Sequence, residues 1–207
     1  MAITAIVVIT VAVAGYFEGA DYLQLRHQLA VEKQGIQKSV AENTEATSDL
    51  LELETQQSSI TFAELFERAD DRIKKLSDVI IPIEVSSLPS DEKSALKIYI
   101  KGLQETLRLQ VAVYRKQLAM ASALDASKAA EKDYAAASAG YDDFERKRAQ
   151  QSIDDAKTAL NDLKTANGDF VRQLRSFRET LQTLRGNLKD YDTLDDGLLG
   201  SVIKKEG

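Results

Sequence analysis

"IDDAKTALNDLKTANGDFVRQLRSFRETLQTLRGNLKDY", residues 153–191, decides the fold. Its apolar residues recur at alternating steps of three and four: Ile153, Ala156, Leu160, Leu163, Asn167, Phe170, Leu174, Phe177, Leu181, Leu184, Leu188 and Tyr191. A strand would show a period of two, whereas steps averaging 3.5 keep one stripe on one face of a helix. Roughly six heptads in a single register, carried through Gly168 and Gly186, predict a left-handed supercoil with a partner helix. The expected seam is Ile153, Leu160, Leu163, Asn167, Phe170, Leu174, Phe177, Leu181, Leu184 and Leu188. Asn167 either faces water beside Gly168 or pairs with a polar group across the seam and fixes its register. Asn43 poses the same choice nearer the N-terminus.

Working back from this segment, Leu96, Ile100, Leu103, Leu107, Val111, Tyr114, Leu118 and Ala121 repeat the same spacing. The stretch that follows, "ASKAAEKDYAAASAG" (126–140), lets helices approach closely but offers little area to bury. Gly140 is the natural bend. Residues 91–191 therefore read as an antiparallel hairpin of two long helices, 91–139 and 141–191. "IPIEVSSLPS" (81–90) precedes it, and residues 82–90 are assigned as a linker because Pro82 and Pro89 interrupt a helix. Ser90 followed by Asp91 and Glu92 suits a helix start, with a hydroxyl cap and acids in the positive first turn.

Residues 21–81 read as a coiled-coil stem and a shorter second helix. Tyr22, Leu29, Ile36, Asn43 and Leu50 recur every seven residues, with Leu25, Ala46 and Leu53 three further on. Glu32 and Ser39 interrupt that second set. "QQSS" (56–59) ends the pattern, and a helix from about Thr61 carries Phe62, Leu65, Phe66, Ala69, Ile73, Leu76 and Ile80 on one face. Residues 3–56 as one helix would be about 80 Å long.

"AITAIVVITVAVAGYF" (2–17) carries no charge. As a helix it spans about 25 Å, and running on to Ala20 with Glu18 reaching into the headgroups approaches a ~30 Å hydrocarbon layer. Ile3, Ile6, Val7, Val8, Ile9, Val11, Val13, Tyr16 and Phe17 are the expected membrane-embedded residues, and Tyr16, Phe17 and Tyr22 would form the aromatic belt. A signal peptide cleaved after "AVA" (12–14) would be short and would lack a basic n-region. A strand of this length would be unusually long, and no other segment offers it a partner. A helix hidden in an oligomer until it meets a membrane is the further option. The basic residues Arg26, Lys33 and Lys38 favour a cytoplasmic body, whereas Glu18 and Asp21 precede them, so the side of the body is undetermined. Gly15 and Gly19 match G-x-x-x-G, but with Glu18 between them the match reads as chance.

Composition narrows the chemistry. Of 207 residues, 43% are hydrophobic and 29% charged, enough for a sizeable core. Only ten Gly and two Pro interrupt helix formers, which places the chain in the all-α class. The absence of Cys removes disulfides, thiolate nucleophiles and Cys-based metal sites. A net charge of −6 argues against nucleic acid, and the basic "ERKR" (145–148) and Lys204–Lys205 sit among acids. His27 is the sole histidine, and Gln24 rather than Glu stands three residues before it, so the Glu-x-x-His pair of di-iron bundles is absent. "DYDTLDDG" (190–197) fails calcium-loop spacing at Leu194 and Ser201. The sequence also holds no Gly-rich phosphate loop.

The expectation is an all-α protein whose N-terminal membrane helix (1–20) continues into a coiled-coil stem packed with the hairpin, followed by a flexible tail (192–207). It is expected to be a non-enzymatic, single-pass tether, scaffold or assembly subunit with no cofactor, metal or small-molecule substrate. The expected partners are the lipid bilayer and a second copy or other helical protein. The alternative is an α-helical pore-forming protein whose apolar segment inserts on oligomerisation, and an envelope-spanning rod is a third layout.

Overall fold

A computed structural model describes residues 2–52, 61–136 and 143–191, with side chains over 23–51, 61–132, 146–191 and at Phe144. Four helices account for nearly all of them: α1 (Ala2–Glu52), α2 (Phe62–Val85), α3 (Ser90–Ala136) and α4 (Asp143–Leu184). Among the described residues there is no strand. The protein is all-α, with its four helices packed together.

Contacts fix the helix directions. Glu32 of α1 accepts from the Ser87 amide, and Arg72 of α2 donates to Asn43 of α1, so α1 and α2 run antiparallel. Gln104 of α3 donates to the Ile73 carbonyl and Lys97 pairs with Glu84, so α2 and α3 are also antiparallel. Lys116 pairs with Asp162, which reverses α4 against α3. The order is up–down–up–down, and α3 is the central helix that the other three contact. Its residues Leu96, Ile100, Leu103 and Leu107 are at most 1% exposed, and together with Val40, Leu76, Ile83 and Leu174 they form the centre of the core.

Polar side chains within this section satisfy backbone groups. Gln110 donates to the Leu51 carbonyl at 2.8 Å, in the last described turn of α1. Thr44 and Tyr99 share a hydrogen bond at 2.9 Å, and the Tyr99 ring lies 5.8 Å from that of Phe177. Gly102 permits this approach, because a Cβ there would run into the Phe177 ring. Desolvation raises the Tyr99 phenol above its ordinary range, against the bond to Thr44, so it stays neutral.

The four-helix level ends where α1 ends and α2 begins. Phe62 stands 6.3 Å from Tyr114, and Arg115 lies over Phe66 at 5.2 Å. Beyond that level, among the described residues, only α3 and α4 continue, as a two-helix arm that buries Ser127 and leaves Leu118, Leu124 and Leu160 more than 40% exposed.

Several expected boundaries move. The linker does not begin at Pro82, because α2 continues through it to Val85. A proline this near a helix end costs one carbonyl its donor without breaking the preceding turns. Helix α3 begins at Ser90 itself: the Lys93 amide bonds to the Pro89 carbonyl, so Ser90 sits in the first turn rather than capping it. Helix α4 stops at Leu184 rather than 191, just before Gly186, and tight turns follow. Leu188 and Tyr191 are nonetheless buried, because those turns fold back onto the bundle. The expected stem stripe is displaced as well. Ile36, Val40, Thr44, Thr47, Leu50 and Leu51 are buried, whereas Asn43 and Ala46 are half-buried and Leu25 and Leu29 are exposed. With α2 on one flank and α3 on the other, α1 buries a broad wedge rather than a narrow seam.

Among the described residues no helix is long and apolar enough to cross a membrane. The expected membrane-embedded side chains, Ile3 to Phe17, lie outside the described residues, although the α1 backbone runs through them. Leu53 and the tail 192–207 also lie outside.

Candidate functional site at the base of the bundle

The seam residues divide in two. Leu163, Phe170, Leu174, Phe177, Leu181 and Leu188 are buried, while Ile153, Asn167 and Leu184 are half-buried. Leu160 is 41% exposed and leaves the expected seam, because at its level α3 and α4 are the only helices among the described residues. The partner helix that the spacing called for is α3 of the same chain. Asn43 makes the cross-helix polar pair, accepting from Arg72 at 3.2 Å and donating to the Ser39 carbonyl at 2.8 Å.

At the other end of the bundle, the base, α1 emerges through a knot of polar contacts. Lys33 pairs with Asp190 at 2.8 Å and with Glu92 at 3.1 Å. Tyr191 donates to Glu92 at 2.9 Å, and Gln37 donates to the Asp190 carbonyl at 2.8 Å. Three segments distant in sequence are thus tied together: α1, the start of α3 and the turns after α4. Glu92 is 7% exposed, so its charge is desolvated and needs both partners. The hydrogen bond to Asp190 raises the Lys33 ammonium above its usual range despite desolvation. The same bond holds the Asp190 carboxyl below the usual carboxylate range. Desolvation, reinforced by Glu92, raises the Tyr191 phenol. Sequence spacing could not find this knot, because its members are 59 to 157 residues apart.

On the N-terminal side of the knot α1 is bare. Leu23, Leu25, Leu29 and Val31 are 66%, 53%, 37% and 55% exposed, and the residues between them, including His27, are exposed too. Leu25 and Leu29, one turn apart, share one face and make an apolar surface suited to another helix, while Leu23 and Val31 lie on the far side. The base of α2 adds Ile81 and Val85, at 62% and 80% exposed.

An open groove of about 500 Å³ lies between α1 and α2, lined by Ser39, Asn43, Ala46, Arg72, Lys75 and Asp78. Arg72 is engaged with Asn43, and Lys75 with Asp71 at 2.7 Å, so both cations of the groove already have partners. Among the described residues no group of three or more metal donors converges.

No known protein family, curated protein or solved structure matches the chain.

Proposed function

We propose that the chain is a single-pass, membrane-anchored helical protein that acts as a tether, scaffold or assembly subunit through helix–helix contacts. Residues 2–20 enter the bilayer, and the bundle is the body that they hold to it. The observation that carries this reading is the continuity of α1. One helix contains the uncharged run 2–17 and is locked into the bundle from Glu32 onward. Residues 21–32 as helix measure about 18 Å, a stalk that keeps the body clear of the headgroups. The reading includes no reaction, cofactor or nucleic acid. Its partners are lipid and a helical surface, on a second copy or another protein.

Flotation on phospholipid vesicles tests it, with full-length chain compared with a Val8→Lys/Val11→Lys variant. Charges at mid-span are costly in hydrocarbon, so the full chain should float and resist a high-salt wash while the variant stays below with unchanged helical circular dichroism. A full chain that stays at the bottom of the gradient overturns the proposal. Dye release from preformed vesicles on adding detergent-free protein would support the pore-forming alternative instead.

A further inference from the structure

The bare stripe of α1 is the same stripe that the bundle covers further along, where Ile36 and Val40 are 6% and 0% exposed. What covers it at Leu25 and Leu29 must approach from the base. The chain itself arrives there. Helix α4 travels toward the base, and the turns after it end at Asp190 on Lys33 and Tyr191 on Glu92. Asp190 and Tyr191, the last described residues, thus sit beside the last covered turn of α1, and residues 192–207 follow them in sequence.

We propose that residues 192–200 pack antiparallel along α1 at 23–31 and cover its apolar stripe of Leu25 and Leu29. The register follows from the knot. With Asp190 opposite Lys33, antiparallel helices place Leu194 opposite Leu29 and Leu198 opposite Leu25. The two leucine pairs share the same four-residue spacing, one helical turn, so both meet in one register. Charge agrees with the geometry: Asp195 and Asp196 fall level with Arg26, His27 and Gln28. A parallel second copy would instead set Arg26 beside its equivalent, a like-charge contact. Reach is sufficient, since the stripe from Lys33 to Leu23 is about 15 Å long and seven extended residues cover over 20 Å.

A segment of this length containing Gly197 and Gly200 is a poor helix alone and folds on a template. The tail is then an intramolecular competitor for any other helix that would dock on the stripe. This inference is independent of whether residues 2–17 enter a bilayer, and it is tested in detergent solution.

The chain has no cysteine, so paired substitutions report contacts without background. Full-length protein carrying Gln28→Cys and Asp195→Cys is oxidised at low concentration, as a mixture of isotopically light and heavy chains, and cross-links are assigned by mass spectrometry. The comparison is Gln28→Cys with Lys205→Cys, which the register holds apart. The proposal requires the first pair to close within one chain, roughly tenfold faster than the second, because docking raises the local concentration of one site only. Equal rates for the two pairs, or a cross-link that joins light to heavy chains, would overturn it.

Discussion

Helices α3 and α4 run side by side for most of their length, yet the two halves of that pairing differ. At the base α3 contributes Leu96, Ile100, Leu103 and Leu107, α4 contributes Phe170, Leu174 and Phe177, and all are nearly inaccessible. In the arm the pair buries Ser127, while Leu118 and Leu160 face water. The apolar periodicity is continuous across both halves, and the number of helices that share it is not. A heptad stripe marks a face that can be covered. How fully it is covered depends on how many neighbours reach that level.

The largest predicted contrast lies within α4. Leu174→Ala should cost about 2–5 kcal/mol of stability through lost burial and a cavity, whereas Leu160→Ala should change it by less than ~0.5 kcal/mol. Urea unfolding followed by circular dichroism measures both, and comparable losses would mean that the arm is covered in solution.

Gly102→Ala probes the close approach at the base and should cost about 1–3 kcal/mol, since Phe177 is 3% exposed and has little room to shift. Pairing it with Phe177→Leu should recover part of the loss in a double-mutant cycle. Ion pairs offer a parallel comparison. Removing a partner from the desolvated knot with Glu92→Ala should cost about 1–3 kcal/mol. Asp162→Ala, which breaks the exposed pair with Lys116 in the arm, should cost about 0–1 kcal/mol.

The knot also sets a pH dependence. Asp190 is depressed by Lys33, so its contribution is present above the ordinary value of 3.8 and is lost as pH falls through its lower folded value. Lys33 is raised by the same bond, so its contribution is present below 10.5 and is lost as pH rises through its higher folded value. Thermal melts of the native chain should therefore exceed those of Lys33→Met by a constant margin between these limits, and the margin should shrink outside them. A modest effect is expected at the start of α2. Thr61 and Glu64 form a reciprocal capping box there, and Thr61→Ala should cost about 1 kcal/mol.

Periodicity was enough to read the helical class, the hairpin and the covered stretch from Leu163 to Leu181, because those features depend on local spacing. The Thr61-x-x-Glu64 cap is also written in four adjacent residues and could have been read directly. The continuation of α2 through Pro82 could not, since tertiary packing of Val79 and Ile83 overrides the local preference. Nor could the knot of Lys33, Glu92, Asp190 and Tyr191, or the wedge that α1 buries, because each depends on which helices become neighbours.

The central claim is that α1 is one helix passing through three environments: lipid, water and bundle. Nitroxide labels placed singly along residues 3–40 of the full chain in vesicles, with power saturation by oxygen and by a water-soluble nickel chelate, test it most directly. The account predicts oxygen-dominated relaxation over 3–17, strong nickel access at Gln24, His27 and Val31, which lie off the stripe of Leu25 and Leu29, and protection from both reagents at Ile36 and Val40. Nickel access at every position from Ile3 to Phe17 would contradict it.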